Sequence, residues 1–309
     1  MKLFCRFTAA FLAVCLFAAV QAEAAAFEDP RQNEAVCLMA RCEEVLWREK
    51  LKRCPDFDVR LDPEHTGLVG TEFTPLTTTL GHWRDKVVSA RPSMAGAVSG
   101  YFLRAGLCRG DAVAINASGS FPGFTLAALC AAQVMGLEAV LVCSYGASMY
   151  GGTVPEFTFP VMLDILRGEG LLGAEIAAVS PGGRDDSMSE VLLEDGRPLV
   201  QKLMAQRPER RLNSGFAANM EARREIFFSR PVKLFVSCGG PETSMGRGDD
   251  GPELPHGLIM PYLSAAEAPD GGLISEFLER GVPVIHLLYT AGICRDWGLP
   301  CEEMPDPEF

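Results

Sequence analysis

The stretch from 111 to 131, DAVAINASGSFPGFTLAALCA, limits the fold more than any other part of this chain. An unbroken apolar run of strand length enters a turn of serines, glycine and proline. A second apolar run, of helical length, leaves it. A strand without polar alternation has no wet face, so both of its sides must be covered, as in the interior of a parallel sheet. The theme returns in EAVLVC at 138–143, AEIAAVS at 174–180, VKLFVSC at 232–238 and VPVIHLLY at 282–289. Helical patterns fall between these runs, at 124–135, 161–167, 199–206, 215–228 and 271–281. The expected class is therefore α/β: a mostly parallel sheet with helices on both faces, in Rossmann-like layers. Strands at 111–116, 138–143, 233–237 and 282–287 should be neighbours whose C-terminal ends share an edge. Ligands of such sheets bind beyond those ends, which points to the loops at 116–123, 143–152 and 237–248.

Ahead of this domain, Lys2 and Arg6 precede an apolar run at 7–20, and Ala22-Glu23-Ala24 meets the small-x-small cleavage rule. Residues 1–24 read as a signal peptide cut after Ala24 or a nearby alanine. The alternative is an N-terminal anchor formed by 7–20, although that run is short of the ~20 residues a bilayer span needs. Export to a periplasmic or other extracytoplasmic location follows from either. A helical extension is expected over 27–60 and the α/β domain over 61–309, with two lobes, 61–172 and 173–309, an open alternative. The polar run at 181–198 reads as a surface excursion. A formal charge of −12 excludes nucleic acid as a partner, because phosphate binding needs a basic surface.

Eleven cysteines are present, and nine remain once Cys5 and Cys15 leave with the leader. Cys108, Cys130, Cys143 and Cys238 sit in apolar patterns and read as small core hydrophobes. Cys37, Cys42 and Cys54 belong to the early helical region and Cys294 and Cys301 to the tail, which allows a bridge between these two groups. With no C-x-x-C, neither thioredoxin-like chemistry nor a zinc ribbon is expected. Asp62, Glu64 and His65 in DPEHTG are too weak a set to imply a metal.

The turn at 116–123, NASGSFPG, lacks the G-K-[ST] of a phosphate loop and the G-x-G-x-x-G of a dinucleotide fold, and no cofactor is expected. The flanking glycines of a nucleophile elbow are missing as well. Ser118, Gly119 and Ser120 then have three readings: an anion cradle at a helix start, a helix cap with a tight turn, or a nucleophile. The last would need a partner such as His286. Around 143–152, Ser144, Tyr145, Gly146 and Ser148 form a small-residue loop with an aromatic wall. Thr78 and Thr79 lie in a hydroxyl cluster before His82, and Gly239 and Gly240 follow a strand directly. All are ligand-contact candidates; the sequence singles out no catalytic residue.

LDPEHTGLVGTEFTPLTTTLGHWRDK, SGSFPGFTLAAL, CSYGASMYG with PEFTF, and VPVIHLL with WGLP together resemble the poly-gamma-glutamate system protein family. That family is associated with bacterial gamma-polyglutamate capsule or polymer loci. The similarity runs over roughly 60–172 and returns at about 232–240 and 282–300. It implies an envelope-exposed accessory protein of gamma-polyglutamate synthesis, export or processing, binding a carboxylate-bearing ligand at strand-to-helix loops. Its partners would be the polymer or its membrane synthetase complex. Two alternatives stand beside it: a hydrolase or amide-bond transferase on gamma-glutamyl linkages, and a non-catalytic scaffold for the synthetase. An anionic polymer meeting so acidic a chain would need a local cationic cluster, for which Arg84, Lys86 and Arg91 are candidates.

Overall fold

A computed structural model describes residues 27–189, 192–247, 254–261 and 272–301. The expected leader lies outside the described residues. Among these, no helix is long and apolar enough to cross a membrane.

The apolar runs become the strands of one seven-stranded sheet. In chain order its strands are β2 (Ala112–Ala117), β3 (Glu138–Ser144), β5 (Ile176–Ser180), β6 (Arg210–Arg211), β7 (Val232–Cys238), β8 (Gly257–Ile259) and β9 (Val284–Leu287). Across the sheet the order is β6-β5-β3-β2-β7-β9-β8. Every pairing is parallel except β8 on β9 at the edge. Ala117, Cys143, Cys238 and Leu287 pair in register across the middle strands, so the four expected strand ends do share one edge. A separate two-stranded piece joins β1 (Thr77–Thr79) to β4 (Ala147–Ser148).

Both faces are covered. Alternate residues of a strand point to opposite sides, and here Val113, Ile115, Leu234 and Val236 enter one core while Ala114, Val142 and Phe235 enter another. The first core is closed by α1 (Pro30–Arg53), α3 (Ser93–Arg104), α4 (Pro122–Met135) and α5 (Phe159–Gly168). The second is closed by α7 (Phe216–Phe227) and α9 (Leu273–Glu279). There Phe235 stacks on Phe277 with ring centroids 4.5 Å apart. The remaining helices are α2 (Trp83–Ser89), α6 (Gly196–Ala205), the single turn α8 (Glu242–Met245) and α10 (Thr290–Trp297). Helix α1, which the sequence suggests as an extension, lays Ala35, Met39, Cys42 and Leu46 into the first core along one face. Strands from 61–172 and from 173–309 lie side by side in the one sheet.

Three expectations are corrected. Cys108 is exposed rather than in the core. The disulfide joins Cys294 to Cys301 within the tail, and Cys37, Cys42 and Cys54 are free. The stretch at 181–198 is not wholly a surface excursion, because Asp186 turns inward and is buried. Its carboxylate accepts from Arg223 Nη1 at 2.7 Å, Asn219 Nδ2 at 2.9 Å and Ser180 Oγ at 2.8 Å. A buried carboxylate is tolerated only when its lone pairs are filled in this way.

Candidate ligand-binding site

Strand β2 is where the chain reverses its direction of growth across the sheet. After it the chain moves through β3, β5 and β6 to one side, then returns to place β7 on the other. The crevice beyond the C-terminal ends of β2 and β7 is therefore the switch point at which such sheets hold ligands. A cavity of about 910 Å³ opens there, bounded by Ser120, Phe121, Gly240 and His286 from the sheet edge and by His82, Asp85 and Lys86 at α2. Leu254, His256, Leu288 and Tyr289 supply the opposite wall. The size suits a small-molecule site. A depression of about 370 Å³ at the other end of the sheet, lined by Asp111, Glu138 and Arg230, is far from these strand ends.

Lys86 reaches the cavity because α2 is docked by its neighbours. Trp83, one turn earlier, donates from its indole Nε1 to the Leu61 carbonyl at 2.7 Å, and Val87 and Val88 are in the core. This leaves Lys86 only 4% exposed, with Nζ 3.3 Å from the centroid of the Phe121 ring. Among the described residues, Nζ has no hydrogen-bond or ion-pair partner. Burial pushes its pKa down from 10.5 to about 7, opposed by the charge of Asp85. The Asp85 carboxylate itself accepts from Thr290 Oγ1.

His286 also borders the cavity. Its Nδ1 lies 3.1 Å from the Pro255 carbonyl, an acceptor only, which fixes Nδ1 as the protonated nitrogen. Nε2 is buried without a hydrogen-bond partner among the described residues. Burial holds this imidazole below its ordinary pKa, which favours the neutral ring.

The sequence-derived residues divide. Ser120, Ser148, Thr79 and Gly240 border the cavity; Ser118, Gly119, Ser144, Tyr145, Gly146, Thr78 and Gly239 do not. Ser118 acts through Ser120, donating from its hydroxyl to Ser120 Oγ at 3.0 Å. Ser120 Oγ also accepts from the Ser148 N–H at 2.9 Å. With Ser118 as donor in this pair, the Ser120 hydroxyl makes no donor contact of its own among the described residues. Neither serine is joined to His286, so the nucleophile pair is not formed. Nor do the serines cap α4, whose N-cap is Phe121 with no side-chain bond.

Gly119 is required by a close approach of backbone and not by a positive φ. A Cβ there would meet the Tyr145 carbonyl oxygen at 2.6 Å, and its own carbonyl accepts from the Gly152 N–H at 2.7 Å. Thr78 Oγ1 donates to the Ala147 carbonyl at 3.2 Å, Gly146 N–H donates to the Pro181 carbonyl at 2.8 Å, and Tyr145 is buried. These residues shape the loop between β3 and β4. Gly239 has φ of +84° and donates its N–H to the Leu287 carbonyl at 2.8 Å, turning the chain out of β7.

The cationic cluster is not gathered. Only Lys86 borders the cavity; Arg91 is held by Glu64 at 2.9 Å and by the Pro300 carbonyl at 2.7 Å. The DPEHTG carboxylates are committed as well, Asp62 to Thr66, Gly67 and Lys50, and Glu64 to Arg91, while His65 stacks on Trp47. Among the described residues no cluster of metal-ligating side chains occurs.

The chain matches no protein-family model, no curated protein and no solved structure. Function must then be sought in the cavity, where a sheltered cation, a hydroxyl donor and a neutral imidazole border one space.

Proposed function

We propose that this protein binds a carboxylate-bearing ligand in the switch-point cavity, as an envelope-exposed accessory component of gamma-polyglutamate synthesis, export or processing. The observation that carries the reading is Lys86: a buried amine bordering a cavity, with no carboxylate of the described residues in ion-pair contact with it and Asp85 engaged by Thr290. A buried charge without a partner is costly, and an incoming carboxylate removes that cost. The Ser120 hydroxyl, with a proton to give, adds a donor suited to the same group. The association with gamma-polyglutamate rests on the resemblance of the motifs, and the envelope location on the expected leader. A scaffold for the synthetase would not require polar groups converging on a cavity. A serine hydrolase is disfavoured because, among the described residues, Ser120 has no base hydrogen-bonded to it.

Calorimetry with free glutamate and gamma-glutamyl oligomers tests the reading. Lys86→Met should weaken binding more than tenfold. Ser120→Ala should cost about 1 kcal/mol, roughly fivefold. Absence of binding to the wild-type protein by all of these carboxylates refutes it.

A further inference from the structure

We propose that Lys86 forms a covalent imine with an oxo-carboxylic acid, a molecule carrying an aldehyde or ketone carbonyl near its carboxylate. This rests on the reading that the cavity takes a carboxylate and narrows the class of ligand.

Two buried lysines in this chain make the contrast. Lys50 is spent on structure: its Nζ donates to the Val69 carbonyl, with Asp62 at 3.8 Å and the Phe57 ring beside it. Lys86 is equally sheltered, yet its Nζ donates to nothing among the described residues and its side chain borders a 910 Å³ cavity. Burial also keeps the amine close to half-neutral at pH 7, and the neutral form is the nucleophile.

The step balances without a further reagent. The Nζ lone pair adds to the carbonyl carbon, and the carbonyl π electrons move onto oxygen. Two protons pass from nitrogen to that oxygen, water departs, and a C=N bond replaces C=O. The imine then takes up a proton, which puts a positive charge beside the Phe121 ring. No carboxylate among the described residues lies within ion-pair distance of Nζ, and Asp85 is engaged by Thr290. The counter-charge must come with the substrate, and for this reason the carbonyl compound is assigned a carboxylate of its own. The Ser120 proton is available to that carboxylate.

The test uses the full chain as expressed. It is incubated separately with pyruvate, glyoxylate and 2-oxoglutarate in the presence of cyanoborohydride, then read by intact mass and peptide mapping. One saturable reduced adduct on Lys86 is expected with at least one acid, and none with succinate, which has no ketone or aldehyde. Lys86→Met should lose that adduct; should the variant not fold, the wild-type map decides alone. No adduct, or adducts spread over surface lysines with Lys86 unmodified, overturns the proposal. Calorimetry of the same acids and succinate separates the two readings. Carboxylates that bind without labelling Lys86 sink the imine and leave the carboxylate site standing. Neither binding nor labelling sinks both.

Discussion

Lys86→Met should make this protein more stable while removing its ligand site. The folded chain holds the Lys86 amine at about 7 against an ordinary 10.5 because burial disfavours the charge. At ~1.4 kcal/mol per pH unit, that interval is worth about 5 kcal/mol against the folded state. The cation–π contact with Phe121 returns up to about 2 kcal/mol, leaving a net cost of roughly 3–5 kcal/mol. The sign follows from proton counting. Below pH 7 both states carry the proton and the full cost is present. Between about 7 and 10.5 the unfolded chain binds more protons than the folded one, so wild-type stability climbs with pH. Methionine, of similar length, fills the same channel and has no such slope. Urea unfolding of both proteins from pH 6 to 10 is the assay. The variant should lead by roughly 3–5 kcal/mol at pH 6, about 6–10 °C in melting temperature, and the gap should close toward pH 10. Parallel curves, or a variant less stable at pH 6, would refute the claim that Lys86 is a desolvated and uncompensated cation.

Carboxylate affinity should be greatest below pH 7 and fall about tenfold per pH unit above it as Lys86 loses its proton. His82, Asp85, His256 and His286 also line the cavity, so the same titration in Lys86→Met is the control: the fall in affinity that belongs to Lys86 is the part the variant lacks. Gly119→Ala should destabilise by about 2–4 kcal/mol, since its Cβ would press on the Tyr145 carbonyl; equilibrium denaturation reads this directly. Arg223→Ala should cost about 3–5 kcal/mol by stranding the buried Asp186 carboxylate. The double variant Arg223→Met with Asp186→Leu should recover part of that loss, as a chemical-denaturation cycle would show.

The strands were legible because solvent exclusion on both faces writes itself as continuous apolar runs; 111–116 and 138–143 lie within a residue of β2 and β3. The loops that follow them were legible for the same topological reason, and Ser120, Ser148 and Gly240 come from them, whereas Thr79 stood out only as part of a hydroxyl cluster. Lys86 was visible only as a charge. In sequence, WRDKVVS is a short amphipathic turn, and nothing local says that α2 docks with its lysine inward rather than out. That depends on Trp83 reaching Leu61 and on a cavity built by residues some 200 positions later. Asp186 and Arg223 were missed likewise: each reads as a surface charge, and only their meeting across 37 positions allows both to be buried. Gly119 was visible as a special position, but its cause is the approach of the 145–146 backbone, which no local pattern encodes.

The strand order also has a consequence for how the chain is made. Strand β2 gains its first neighbour, β3, within a few tens of residues, but its second, β7, begins only at Val232. Through all the intervening synthesis the central strand of the sheet has one unpaired edge, apolar on both faces and parallel in register. Such an edge is a template for the wrong partner, and a pairing deferred over so long a stretch is slow to form. The arrival of β7 protects that edge and brings Gly240 beside Ser120, but the cavity is walled only when His256, His286 and Tyr289 have followed, so the sheet is safeguarded before the site is complete.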